Sequence, residues 1–450
     1  MERIKQFYTK LKIRAVGSHE LSSIYFKQFS ASSVIKGLSI IISIIYVPIV
    51  LGFLNQEKYG IWVTLTTIVN WIKLFDIGMG GGMRNKLSEA IALKEYQKGR
   101  IYISTTYGIT GGIFLLVLIL FYFVNPLLNW QSLLNTSIIS QTELVHLSTI
   151  SVTFIVLGFI LQPVTLIYLA HGNSATGGLV QLLISSISLL LIWLVSLLAD
   201  RGNIILLAWI VTGIPVLVYT AVSIYTFFFK FPHFRPSFKL IKISESGNLL
   251  KLSLQFFVSS FTFTIIYASI PFIIAHLFSP NEVTVFSIAN SIFNLPIMII
   301  SIVTSPFLPL VTLAYAKQDY NWIRSMLRKL NKVSLLIVVG TIVMILLSQY
   351  IYHIWIGGKV AIPFILSVSL GIYAIISILE TPYSSFTNGT GKIRILTILS
   401  PISIGLFITT AILLSRLMNN VIGVSIALAL TNLVALIVLP KWLKRQLPVN

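Results

Sequence analysis

The 450-residue chain is 56% hydrophobic and only 10% charged, with a net charge of +20, a mean hydropathy of +0.92 and no cysteine. Soluble domains carry about 25% charged residues, so an ordinary soluble protein is excluded. The absence of cysteine excludes disulfides, thiolate metal sites and cysteine nucleophiles.

One bilayer-spanning helix needs roughly 20 apolar residues. Twelve such segments follow one another, at 31–54, 59–77, 101–124, 144–170, 176–199, 204–229, 253–278, 283–313, 333–354, 360–386, 395–414 and 421–440. The first is too long, and begins too far into the chain, to read as a cleaved signal peptide. Alternate connections divide the basic residues unequally: 26 of the 32 Lys and Arg fall on one side, and Lys58, Arg201, Lys359 and Arg416 on the other. Lys36 and Lys73 lie inside apolar segments. Such asymmetry is the positive-inside pattern and places both termini in the cytoplasm. The basic excess is therefore a topology signal with an affinity for anionic membrane lipid, and nucleic acid is not called for.

In the first segment, Ser32, Lys36, Ser39, Ser43 and Tyr46 recur at spacings of four and three, which puts them on one helical face. A charge inside the membrane by default faces the bundle interior or a wet cavity. Lys36 is accordingly expected to supply positive charge to a cavity. The competing reading is a lysine snorkelling to the interface. The second segment ends in "FDIGMGGGMRNKL" from Phe75. It lacks the last glycine of GxGxxG and follows a membrane helix rather than a strand, so nucleotide binding is not supported. Its glycines are expected to let the helix bend or pack closely where it leaves the bilayer. Asp76 is expected to cap that turn or pair with Arg84 or Lys86. These two bases are either ordinary positive-inside residues or holders of a lipid's diphosphate.

The later segments repeat the earlier ones. "SEAIALKEYQKGR" from Ser88 aligns with "TLAYAKQDYNWIR" from Thr312 at a shift of 224 residues, "VPIVLGFLN" from Val47 with "IPFIIAHLF" from Ile270 at 223, and "LAHGN" from Leu169 with "FTNGT" from Phe386 at 217. Two parallel six-helix halves follow. The chain divides into a tail (1–30), a first half (31–229), a linker (230–252), a second half (253–440) and a tail (441–450). Repeats of this kind characterise transporters that rock one half against the other around a central cavity. In the tenth segment Ser369, Tyr373, Ser377, Glu380 and Ser384 form a second polar stripe, with Glu380 either a gate partner for Lys36 or paired locally. The six histidines show no metal-ligand spacing, and no nucleophile, base and acid constellation appears. Tryptophans near segment ends, Trp62, Trp71, Trp130, Trp193, Trp209 and Trp355, read as an interfacial belt.

The stretch from Tyr59 to Ala92, "YGIWVTLTTIVNWIKLFDIGMGGGMRNKLSEAIA", together with "NGTGKIR" from Asn388, resembles the polysaccharide-repeat (Wzx-type) flippases of the MOP superfamily. Their second span commonly begins YG[LI]W and ends D-[LI]-G-x-G-x-G-x-R-N, and an NGxGKxR turn follows their tenth. The resemblance implies an all-α polytopic membrane protein of twelve helices in two halves around a central cavity. It implies a carrier, not an enzyme, that moves undecaprenyl-diphosphate-linked oligosaccharide across the bacterial inner membrane for O-antigen or a related polymer. Polysaccharide polymerase machinery is a candidate partner and proton or sodium coupling a candidate energy source; no cofactor is implied. By position, Asp76, Arg84 and Asn85 belong to the first motif, and Asn388, Gly389, Lys392 and Arg394 to the second. The alternative on the same fold is a cation-coupled exporter of small amphiphiles. The drug-extruding branch typically has an acid in its first span, where this chain has Lys36. A membrane-embedded polymerase or glycosyltransferase would be expected to carry a large charged external loop. The longest here, 125–143, holds one acid and no base.

Overall fold

The computed structural model describes residues 19–72, 79–198, 202–242, 246–391 and 394–447. Asp76 and Lys392 lie outside them, as does Lys73. The first half comprises α1 (His19–Phe53), α2 (Gln56–Asn70), α3 (Met79–Ala92), α4 (Tyr96–Val124), α5 (Trp130–Leu134), α6 (Gln141–Leu161), α7 (Val164–Ala170), α8 (Ser174–Leu198) and α9 (Ile204–Ile224). The second comprises α10 (Ser246–Leu277), α11 (Pro280–Thr304), α12 (Phe307–Ala316), α13 (Tyr320–Leu346), α14 (Ser348–Ile356), α15 (Phe364–Gly389), α16 (Arg394–Met418) and α17 (Ile422–Gln446). Among the described residues, ten helical stretches are long and apolar enough to cross a membrane. The second and seventh segments fall short of that measure: α2 has 15 residues before the undescribed stretch, and Thr264–Leu277 is what is counted of α10.

Polar residues start the helices where the chain turns at the end away from the basic connections. Asn55, Ser140, Asn203 and Ser279 each accept, through the side chain, the backbone N–H three residues on. This satisfies a donor that helix geometry leaves unpaired.

The internal repeat is visible in the backbone. Helix α1 ends at Phe53 and α10 at Leu277; α2 begins at Gln56 and α11 at Pro280; α4 begins at Tyr96 and α13 at Tyr320. Each pair is 224 apart, the shift of the longest sequence match. Lys94 and Gln318, also 224 apart, share a left-handed backbone at φ 59° and 60°. Glu95 N–H donates to Ala90 O at 2.8 Å, and Asp319 N–H to Ala314 O at 2.9 Å, so the same turn is built twice. Arg100 Nε donates to Arg235 O just past the sixth segment, and an Arg324 terminal nitrogen to Leu447 O just past the twelfth. The third match is shifted in register. The left-handed glycines that follow α7 and α15 are Gly172 and Gly391, whereas the sequence match sets Gly172 against Gly389.

The buried apolar residues among those described form three clusters. One spans both halves, joining Val50, Ile61 and Leu65 to Ile274, Val283 and Phe286. The other two lie toward the basic connections, one built from the first half and the linker, the other from the second half and the C-terminal tail. The first of these gathers Met83, Leu87, Ile103, Ile167 and Phe234, and the second Val311, Ile323, Leu330, Phe386 and Leu443. Among the described residues the halves thus share a core at one end, and at the other α3 of the first half runs against α10 of the second.

Candidate functional site

The shared end is held by short backbone approaches. Gly60 on α2 lies so close to α11 that a Cβ there would sit 1.8 Å from Pro280 O. One helical turn along, Thr284 Oγ1 donates to Gln56 O at 2.6 Å. The Asn135 side-chain amide donates to Ala275 O at 2.9 Å and to Phe278 O at 3.2 Å, tying the third-to-fourth connection of the first half to the seventh span of the second. Deeper in, Trp355 Nε1 on α14 donates to Ile44 O on α1 at 2.8 Å. Ile44 is four residues before Pro48, and proline has no N–H for the carbonyl of the preceding turn. The indole supplies the donor that the helix lacks.

Beneath this closure lies a cavity of about 200 Å³ lined by Ser43 and Ile44 of α1, by Ser291, Ile292, Asn294, Leu295 and Met298 of α11, and by Trp355. It lies on the surface between the halves, and its walls mix hydroxyl, amide and apolar groups. Ser43 fixes the direction of the polar stripe of α1. Lys36 is two turns away along the same helical face, about 10 Å nearer the basic end at 1.5 Å per residue. Its side chain is exposed, while the neighbouring Ile35 is buried against Gly178 of α8. The hydroxyls of Ser39 and Ser43 donate to Ile35 O and Ile40 O of their own helix. No ion pair to Lys36 occurs among the described residues.

The stripe of α15 has a different setting. Ser369, Tyr373 and Ser377 are buried within the second half. Ser425 Oγ donates to Ser369 Oγ at 2.7 Å, and the Asn432 amide to Ser377 Oγ at 3.1 Å, both from α17. The Tyr373 hydroxyl meets that of Tyr267 on α10. Glu380 continues this stripe, half-buried, with Ser384 one turn away along the helix. Lys36 and Glu380 form no ion pair in this arrangement.

The basic-end motif residues are spread out. Arg84 is half-buried on α3, with Nε donating to Asn85 Oδ1 at 3.2 Å. Lys86 pairs with Glu89 one turn on, at 2.9 Å. Ser88 Oγ donates to Ala170 O at the end of α7. In the second motif, Gly389 is buried where a Cβ would stand 2.8 Å from Val311, and its carbonyl accepts from Thr312 Oγ1. Asn388 and Arg394 are exposed on either side of that turn. Of the glycines of "GMGGGM", Gly80, Gly81 and Gly82 lie in the first turn of α3, and Gly78 lies outside the described residues.

Two residues that matter here were not singled out by pattern. Trp355 reads as belt, but its indole lies between the halves, and Trp62 and Trp130 are likewise buried at 3% and 2% exposure. Asn294 carries no motif; only its position on α11 brings it to the cavity.

No protein-family model matches the chain. A protein of Yersinia pseudotuberculosis named "Putative O-antigen export protein" is 23% identical over 374 residues, covering 81% of this chain and 83% of that one. Among solved structures, an inward-facing multidrug resistance MATE-family transporter of the MOP superfamily superposes with a TM-score of 0.73 at 15% identity, over 94% of this chain and 98% of its own. An outward-facing structure of a transporter described in the same terms gives 0.67 at 13% identity, over 94% and 95%. The chain therefore has the two-lobed, twelve-helix fold of MOP-superfamily transporters.

Proposed function

We propose that the protein is an alternating-access flippase. It carries undecaprenyl-diphosphate-linked oligosaccharide from the cytoplasmic to the periplasmic leaflet of the bacterial inner membrane, and hands it to the polysaccharide polymerase machinery. The observation that carries this reading is Lys36, an exposed cation at membrane depth on the face of α1 that also lines the cavity between the halves. The halves share a core at one end, while at the basic end, which the charge pattern assigns to the cytoplasm, α3 of the first half packs along α10 of the second. A cation on such a surface is complementary to a diphosphate. The 200 Å³ cavity has room for about one sugar, so the glycan would enter as the halves part, while the polyprenyl chain stays in lipid. Arg84 and Lys86 at the basic end, with Asn388, Lys392 and Arg394 of the second motif, would meet the diphosphate on entry. The likeness to a protein named for O-antigen export supports the substrate class.

One observation favours a second reading. The fold is shared with multidrug transporters, and Glu380 is a half-buried carboxylate in the second half that makes no ion pair among the described residues. A proton or sodium ion exchanging at Glu380 would drive export of small amphiphiles in that reading, and would supply the energy for flipping in the first.

The test uses the purified protein in proteoliposomes loaded with the lipid-linked oligosaccharide. Wild type should expose the glycan to an impermeant sugar oxidase on the outer face. Lys36→Ala should slow this at least tenfold, and Lys36→Arg should retain most of it. Dye efflux under an imposed ion gradient, with no glycan movement, would select the exporter.

A further inference from the structure

The linker after the sixth span carries an exposed aromatic and basic surface. After α9 the chain makes a π-helical turn (Tyr225–Lys230) and then runs back along α4. Phe234 is its anchor: fully buried, it packs on Gly99 and Leu87, where a Cβ on Gly99 would stand 2.8 Å from the ring. Beyond Phe234 three polar contacts pin the strand of chain to α4. Arg100 Nε donates to Arg235 O at 2.7 Å, and the N–H groups of Ser237 and Lys242 donate to Ser104 Oγ and Thr105 Oγ1, each at 3.0 Å. Ile241 fills the space left open by Gly108.

These contacts set the depth of the linker. The apolar stretch Tyr96–Leu127 has 32 residues, about 48 Å of helix, against a hydrocarbon core of about 30 Å. Shared equally, the excess puts the edge of the core about six residues into α4. Ser104 and Thr105 lie within about 5 Å of that edge, so the chain bonded to them runs at the membrane interface.

At this depth the outward side of the linker is aromatic and basic. Phe238 is 92% exposed, and Phe228 and Phe229 just before it are 56% and 74% exposed. Lys230, Arg235, Lys239 and Lys242 are exposed too, and the segment 225–242 contains no acid. The Arg235 guanidinium lies over the Phe228 ring at 4.5 Å and the Lys230 ammonium over the Tyr168 ring at 4.6 Å. No ion pair engages these four bases among the described residues.

We propose that residues 228–242 form an interfacial strap that binds anionic phospholipid headgroups of the leaflet at the basic end, with Phe238 inserted among the upper acyl carbons. Amphipathic aromatic–basic segments partition to this layer, and their bases are drawn to anionic lipid. The only covalent connection between the two halves is thereby fastened to the membrane as well as to α4. This inference needs the membrane placement of the helices but no particular substrate.

The natural absence of cysteine makes a direct test available. Phe238→Cys is labelled with a nitroxide in nanodiscs of phosphatidylcholine, with or without phosphatidylglycerol, and a Gln97→Cys label at the same end serves as the aqueous reference. The expected result is a label at 238 more accessible to oxygen than to a water-soluble nickel chelate, and more so with phosphatidylglycerol. The added immersion should disappear in Lys239→Gln/Lys242→Gln and in high salt. A label at 238 as accessible to the chelate as the one at 97 would overturn the proposal and assign the exposed phenylalanine to a protein partner. Equal immersion in both lipids would overturn the anionic recognition.

Discussion

Trp355 Nε1 donates to Ile44 O at 2.8 Å, and the residue four positions beyond Ile44 is Pro48. A defect in one half of the molecule is thus repaired by a side chain of the other. The repair exists only while the halves are closed at this end, so it ties a local backbone feature of α1 to the global arrangement. Trp355→Phe keeps the ring but leaves Ile44 O without its donor. Ile44 O is only partly buried and borders the cavity, so losing its donor costs about 1 kcal/mol, the low end for an unsatisfied acceptor and a factor of about 5 in the balance between closed and open states. The expected outcome is a longer distance, by spin-label spectroscopy, between labels placed at Leu127 and Lys359. Pro48→Ala restores an N–H for Ile44 O, so Trp355→Phe should shift that distance much less in a Pro48→Ala background. Additive effects in this double-mutant cycle would show that the hydrogen bond does not set the balance.

Gly60 makes a second demand on the same closure. A Cβ at this position would fall 1.8 Å from Pro280 O and 2.6 Å from its carbonyl carbon, and backbone cannot move aside as a flexible side chain can. Gly60→Ala should push α2 and α11 apart at a cost of about 1–3 kcal/mol or more. The same label pair reads the result, and a cysteine introduced at Thr284, which approaches Gln56, should become reactive to an impermeant thiol reagent. Unchanged distances and an unreactive cysteine would mean that the closure does not depend on this contact.

At the basic end, His171 follows α7 with its Nδ1 donating to Ile167 O at 2.7 Å and its ring stacked on Phe231 at 4.2 Å. Burial lowers its pKa below the ordinary histidine value, and the nearby His233 and Lys230 push in the same direction. The folded state therefore favours the neutral ring. The stabilisation is complete above the unfolded pKa of about 6.5 and is lost as pH falls from there toward the depressed folded value, because the unfolded chain takes up the proton first. Detergent-solubilised wild type should lose more of its melting temperature between pH 7.5 and 5.5 than His171→Gln does. Equal losses would place the acid sensitivity elsewhere.

The sequence makes the architecture legible because the bilayer imposes it. Twelve apolar segments and a one-sided basic excess suffice for the spans, and Lys94 and Gln318 show that the 224-residue shift is a shift in backbone geometry too. The stripe of α1 was also legible, since helical spacing alone puts Lys36 in line with Ser43. What that stripe faces was not, because contacts between halves depend on packing. Pro48 announces that Ile44 O lacks a helical donor, but nothing in the sequence points to Trp355, 311 residues away, as the replacement. The stripe of α15 illustrates the opposite case. Its period matches that of α1, yet Ser369, Tyr373 and Ser377 are spent on hydrogen bonds inside their own half. The short LAHGN and FTNGT match slips by two residues because a turn's glycine is placed by backbone sign, which letters alone do not reveal.

The most direct measurement of the proposed function is made in cells that lack this protein but still synthesise the polymer's precursors. A membrane-impermeant sugar-binding probe, applied before and after lysis, locates the diphosphate-linked oligosaccharide. The predicted result is accumulation on the cytoplasmic leaflet, relieved by the wild-type gene and not by Lys36→Ala expressed at the same level. Normal exposure on the outer leaflet, in cells shown to have no substitute carrier, would contradict flipping and leave small-amphiphile export as the function of the fold.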